Sequence, residues 1–388
     1  MGSPSSPSEP GPIPRRRRRA ALRAFVAVAV ALIVAVAAYA TVSYLHNAPP
    51  PGTTTLVVYT YSSLFGGSCS APAFATVFGT FAASHHVHFD IECPAGTLSS
   101  TLIAQKASPR ADLVIGLDEV TTPEAEAAHV LVPYASPELA HVPAALVTEL
   151  SPAHAVTPYE YGYLGIDYST PFAAATEGKV ATSSFPDFAA NHSWASALTV
   201  ENPTTDITGE EFLLWQIAFY SSVLHENWTT WWTAVDPYLH TAPDWSTAFN
   251  AFNASTSAPV LVASYAADPA YASYNGFPGT FNVTLSTQLG VTYGWRAIYG
   301  LGMVAGSAHT TLDQEFIDWF LEGPVQSQIP TNEWEYPANA TVALPSVYAA
   351  APDPQGITEL NPAIPPAVIP GELPGWLDEW QTLENTYG

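Results

Sequence analysis

The sequence predicts an α/β fold of two lobes, preceded by one membrane-spanning helix. Three observations predict it. The stretch Thr157 to Thr170, TPYEYGYLGIDYST, is a run of β-formers without alternation, so it reads as a strand covered on both faces. Strand and helix signals alternate on either side of it, which suggests an α/β lobe on each side and a ligand cleft where the strand crosses. At 388 residues the chain also exceeds one ordinary core.

Residues 1–23 form a basic tail rich in Ser, Pro, Gly and Arg. Ala24 to Leu45 carries no charge and is long enough, at ~1.5 Å per residue, to span a ~30 Å hydrocarbon core. Arg15 to Arg19 before it place the N-terminus in the cytoplasm and the remainder outside. A cleaved signal peptide ending at Ala38-Tyr39-Ala40 is the competing reading. Residues 46–54 are a Pro-rich linker.

Lobe 1 is expected from residues 55–158 and 293–388, and lobe 2 from 159–292. In lobe 1, strands at Leu56 to Tyr61, His88 to Glu92 and Asp112 to Gly116 alternate with helices at Ala71 to Ser84 and Thr97 to Gln105. That order implies parallel pairing, with the loops at the strands' carboxyl ends open to a ligand. Beyond the crossing strand, Leu198 to Val200 and Val260 to Ala263 read as strands, and Gly209 to Tyr220 and Ser246 to Phe252 as helices. Thr292 to Val304 returns the chain to lobe 1, and a helix at Thr311 to Glu322, capped by Thr311 and ended by Gly323, should pack there. Pro-rich Ala349 to Pro374 and a helix at Trp376 to Glu384 close the chain.

Beyond residue 23 only Lys106, Arg110, Lys179 and Arg296 are basic, against 33 acidic residues, a balance of −29. That excludes nucleic acid as a partner and favours a cationic one, although solubility outside the cell accounts for such charge equally well. Five Asn-x-Ser/Thr sequons (Asn191, Asn227, Asn253, Asn282, Asn339) and two cysteines, Cys69 and Cys93, suit an extracytoplasmic location. The cysteines fit one disulfide or two buried thiols. The chain carries no G-x-S-x-G, H-E-x-x-H, G-x-x-x-x-G-K-[ST] or C-x-x-C motif. His85-His86-x-His88 is the nearest approach to a metal site, without a clear fourth ligand. Tyr61, Trp245, Tyr265, Tyr271 and Trp334 fall at or near element ends. There a ring can face the cleft and attract a flat cation with about 0.5 to 2 kcal/mol per contact.

Seven segments, in order, resemble the thiamine-binding solute receptors of ABC transporters, a type II periplasmic-binding-protein-like family. They are LVVYTYSS (Leu56 to Ser63), ADLVIGLDE (Ala111 to Glu119), the PYEYGY crossing, ENPTTDITGEEFLLW (Glu201 to Trp215), DWSTAF and SYAADPAY (Asp244 to Phe249 and Ser264 to Tyr271), and IPTNEWEYP (Ile329 to Pro337). The resemblance implies a monomeric, non-enzymatic receptor that closes on thiamine or a thiamine phosphate and delivers it to a permease and its ATPase. It places Trp245, Tyr265, Tyr271 and Trp334 on the thiamine pocket, with Tyr61 on the first ligand loop. Gly96 matches the glycine of an Asp-Gly ligand turn, but Ala95 stands where the acid would. Asp206-Ile207 replaces a Ser-Thr pair, and Ser62 an Asp. Asp118, Asp206 and Asp268 are the candidate ligand carboxylates, or else caps of helices and turns. Another organic cation, a polyamine or a metal ion remains open as guest. A carboxylate-dependent surface hydrolase and a surface-layer component are the rivals from other classes.

Overall fold

The computed structural model describes residues 52–66, 69 and 71–388. The expected basic tail, transmembrane helix and most of the linker lie outside these residues. Among the described residues, no helix is long and apolar enough to cross a membrane.

The strands are β1 Thr54–Thr60, β2 Val87–Glu92, β3 Leu113–Leu117, β4 Leu131–Val132, β5 Thr157–Ser169, β6 Leu198–Glu201, β7 His240–Ala242, β8 Leu261–Tyr265, β9 Phe281–Thr284, β10 Ser286–Gln288, β11 Val291–Gly294, β12 Arg296–Val304, β13 Tyr336–Pro337 and β14 Ile357–Glu359. β1 pairs in parallel with β2 and β3, as the alternating helices at Ala71–His85 and Leu98–Ala104 require. The crossing strand forms where expected. Its first half, through Tyr163, pairs antiparallel with β12, and its second half, from Leu164, with β8 and β9. β8 continues in parallel to β6, and β6 to β7. One strand thus belongs to the sheets of both lobes, and it is buried along almost its whole length.

Each lobe has its own apolar interior. In the first, Phe74, Phe78, Phe81, Phe316 and Phe320 pack beneath β1 and β3. In the second, Phe185, Phe212, Trp215, Trp231 and Trp232 gather under β6 and β8. The helix Ile369–Tyr387, expected with the first lobe, puts Trp380 into the second interior, 5.9 Å from Trp232 between ring centres. Its apolar stripe is visible in sequence, but the face that receives it is not. The helix expected from Thr311 runs Thr310–Leu321 and has no side-chain cap. Ser307 bonds Asp313 and accepts from the backbone N–H of His309 instead, and Gly323 opens the next short helix.

Cys69 and Cys93 are joined in a disulfide, tying the loop after β1 to the end of β2. His85 stacks on Phe81 and pairs with Glu315 at 3.2 Å. Among the sequons, Asn339 is buried, donates to the Leu321 carbonyl and accepts from Thr341, so no sugar can be attached to the folded chain there. Asn191 and Asn227 bond the residue two positions on through both its N–H and its hydroxyl. That is the turn geometry which Asn-x-Ser/Thr spacing favours. Three of the five sequons therefore close a local turn whether or not they carry sugar.

Candidate functional site between the lobes

Aromatic residues from several elements of both lobes meet at the lobe seam. Tyr61 follows β1, and its ring lies where a side chain on Gly116 would stand. Gly116 takes a left-handed backbone (φ +108), so glycine is required there twice over. The Tyr61 hydroxyl lies 3.0 Å from that of Tyr159, 3.2 Å from Glu160 Oε1 and 3.0 Å from Glu333 Oε2. Tyr299 sits at a register shift in β12, 6.1 Å from the Tyr61 ring, and bonds Tyr265 of the second lobe through the two hydroxyls at 2.8 Å. A bulge of this kind commonly re-aims a side chain beside a site.

From Tyr265 the rings continue into the second lobe and back again. Trp245 lies 6.5 Å from Tyr265 and stacks on Phe249 at 5.0 Å, and Phe249 is 6.1 Å from Tyr271. Trp334, on the first-lobe loop before β13, meets Tyr271 edge to face at 5.4 Å and Tyr274 at 5.0 Å. The five aromatic residues picked out in sequence therefore lie along one continuous chain of rings that crosses the seam twice. Gly96 lies apart, exposed in the turn before Leu98–Ala104 at φ +85.

All three carboxylates named in sequence are engaged by the protein itself. Asp118 accepts from the N–H groups of Val120 and Thr121 and from the Thr121 hydroxyl; burial pushes it up to about 6 against those bonds. Asp206 caps the helix Ile207–Ala218 through the Thr208 N–H and holds the backbone of Trp245 at 3.2 Å. Asp268 accepts from Ser264, whose hydroxyl in turn receives the Trp245 indole at 2.9 Å. Asp167 of β5 is buried near Asp268; burial, then that charge, raises it well above the carboxylate range. Asp206 and Asp268 thus fix Trp245 from two directions.

Several buried carboxylates that were not singled out in sequence keep oxygens without a partner, among them both oxygens of Asp167, Glu201, Glu211 and Asp236. Glu211 is fully buried, and neither oxygen has a partner; Glu160 and Glu335 each leave Oε2 unpaired. Gly209 lets the helix bearing Glu211 sit against the Glu201 carbonyl, and Gly162 leaves room over β5 for the Glu335 carboxyl. Burial raises Glu211 well above the carboxylate range, followed by the charges of Glu119, Asp118, Glu335 and Asp206. Glu160 and Glu210 rise to about 8, again chiefly by burial. Arg296, the one buried base among the described residues, is spent on Glu149 and Glu359, each at 2.6 Å. A hollow of about 110 Å³ beside Lys106 and Arg110 lies at the other end of β3 from Asp118 and shares nothing with the seam.

No protein-family model matches the chain. It is 26% identical over 304 residues to the thiamine-binding periplasmic protein of Brucella suis biovar 1, covering 78% of this chain and 84% of that one. The relatives are thiamine-binding receptors. The same-named protein of Brucella melitensis biotype 1 is 25% identical over 303 residues, 77% of this chain and 84% of its own length. Among solved structures, a periplasmic thiamin binding protein superposes with a TM-score of 0.71 at 21% identity, over 86% of this chain and 96% of that one. Iron-bound HitA from Pseudomonas aeruginosa gives 0.65 at 17% identity, over 86% and 99%. AfuA from Actinobacillus pleuropneumoniae, with fructose-6-phosphate bound, gives 0.68 at 14%, over 86% and 99%. The two-lobed periplasmic-binding-protein fold is common to all three, and the resemblance read from the seven segments holds across most of the chain.

Proposed function

We propose that the protein is an extracytoplasmic solute receptor that closes over thiamine between its lobes and delivers it to an ABC permease and its ATPase, without transforming it. The N-terminal apolar run would anchor it to the membrane as a monomer. The observation that carries this reading is the ring chain from Tyr61 to Trp334, which closes from both lobes over a seam rich in carboxylates. A thiazolium is a flat cation, and each ring face offers it quadrupole attraction. A phosphate ester suits the seam poorly, because every Lys and Arg beyond residue 23 is elsewhere. The same argument disfavours the sugar phosphate found in AfuA.

Calorimetric titration of the full chain with thiamine tests the reading: micromolar binding is expected, and no binding would remove thiamine as the guest. Trp245→Ala and Tyr271→Ala should each weaken it by about 0.5 to 2 kcal/mol. A second reading is favoured by the three oxygens around the Tyr61 hydroxyl, since phenolate and carboxylate suit a hard cation such as the iron of HitA. Ferric titration should then give a tyrosinate charge-transfer band that Tyr61→Phe removes.

A further inference from the structure

Glu211 and Glu335 reach the seam from opposite lobes. Glu211 rises from the second turn of Ile207–Ala218, and Glu335 lies over Gly162 on the first-lobe side. Both are more than nine-tenths buried, and three of their four carboxyl oxygens are sealed from solvent without a partner. The charges acting most on Glu211 are all carboxylates, and three of the four belong to the first lobe.

No Lys or Arg among the described residues answers them. Arg296 is bound to Glu149 and Glu359, Arg110 to Glu92 and Lys179 to Glu177, while Lys106 lines the hollow at the far end of β3. These are all the Lys and Arg of residues 52–388. A buried carboxylate left without a partner is costly, so its positive partner is either a proton or part of a guest.

We infer that Glu211 and Glu335 form a second cation subsite, which holds a protonated nitrogen of the same guest whose flat or apolar part the rings clamp. The preferred guest class is then an organic dication. Burial favours the protonated form of both carboxyls when no guest is bound, and a guest cation would take the place of those protons, which pass to solvent. Charge-assisted bonds of this kind are short and directional, so the spacing between the two cationic centres becomes a selectivity filter. The inference rests on the inter-lobe reading of the site but not on thiamine itself.

The test uses the full chain, with 1,4-diaminobutane, butylamine and thiamine as probes in separate calorimetric titrations. The diamine should bind at least tenfold more tightly than the monoamine. Glu211→Gln and Glu335→Gln, each keeping the shape of the side chain, should reduce that ratio to about one. Both variants should melt no lower than the parent, because each removes a buried acid. Equal binding of the two amines, no binding of either, or a ratio unchanged in both variants overturns the subsite. Thiamine binding in the parent chain is scored separately: its loss alone would overturn the thiamine reading and leave the subsite standing.

Discussion

Replacing Trp334 with alanine removes the ring that joins the first lobe to Tyr271 and Tyr274 of the second. Both contacts exist only when the lobes are together, so their loss falls on the closed state and not on either lobe's interior. At about 0.5 to 1.5 kcal/mol for each aromatic pair, closure weakens by about 1 to 3 kcal/mol. At ~1.4 kcal/mol per decade this lowers thiamine affinity roughly 5- to 150-fold. Trp334 also sits at a left-handed backbone angle, φ +62, which alanine keeps and glycine tolerates freely. Trp334→Gly should therefore lose the same affinity while melting above Trp334→Ala, the strain relieved being about 1 to 2 kcal/mol. Calorimetry gives the affinity, and small-angle scattering of the unliganded chain should show a larger radius of gyration in both variants. Affinity within twofold of the parent together with an unchanged scattering profile would refute the idea that this ring clamps the lobes.

Cys69→Ser with Cys93→Ser frees a loop of sequence separation 24. The chain-entropy relation gives a loss of about 3.5 kcal/mol, measurable by urea unfolding, and a loss below ~1 kcal/mol would mean the bridge restrains little. Gly162→Ala would drive a methyl group into the Glu335 carboxyl and should cost about 1 to 3 kcal/mol. Adding Glu335→Ala should restore most of it, and a purely additive pair would show that the two do not touch. The buried acids set a pH trend. Asp118 and Asp268 are raised to about 6, and Glu119, Glu160 and Glu210 to about 8, mainly by burial. A folded value above the unfolded ~4 gives stability that is present at low pH and lost as pH rises through the folded value. The unliganded protein should thus melt at a higher temperature at pH 5 than at pH 8, and the opposite order would contradict the burial of these groups.

The crossing strand was legible because apolar and aromatic residues crowd it on both faces, and few other structures accept such a run. The aromatic residues were picked out for a different reason: each lies at or near the end of a strand or helix, where a side chain can turn toward the cleft. The glutamates gave no such signal. Glu160 stands inside the strand, and Glu211 lies in a helix where a charged residue ordinarily marks the solvent side. Only tertiary packing, which sequence periodicity does not encode, makes both of them interior. Tyr299 was hidden likewise, since its orientation depends on a register shift against β5.

Asp118, Asp206 and the sequon asparagines share one pattern that could have been read differently at the outset. Each is followed two or three positions later by Ser or Thr: Asp118 by Thr121, Asp206 by Thr208, Asn227 by Thr229 and Asn339 by Thr341. At these four positions the acceptor closes on the backbone N–H of the later residue. Such residues are therefore satisfied before any guest arrives, and their contribution to binding is to hold a neighbour. Asp206 does so for Trp245. The groups left to meet a guest are those whose local sequence supplies no such donor, which is why Glu211, followed by Phe212, Leu213 and Leu214, keeps both oxygens free.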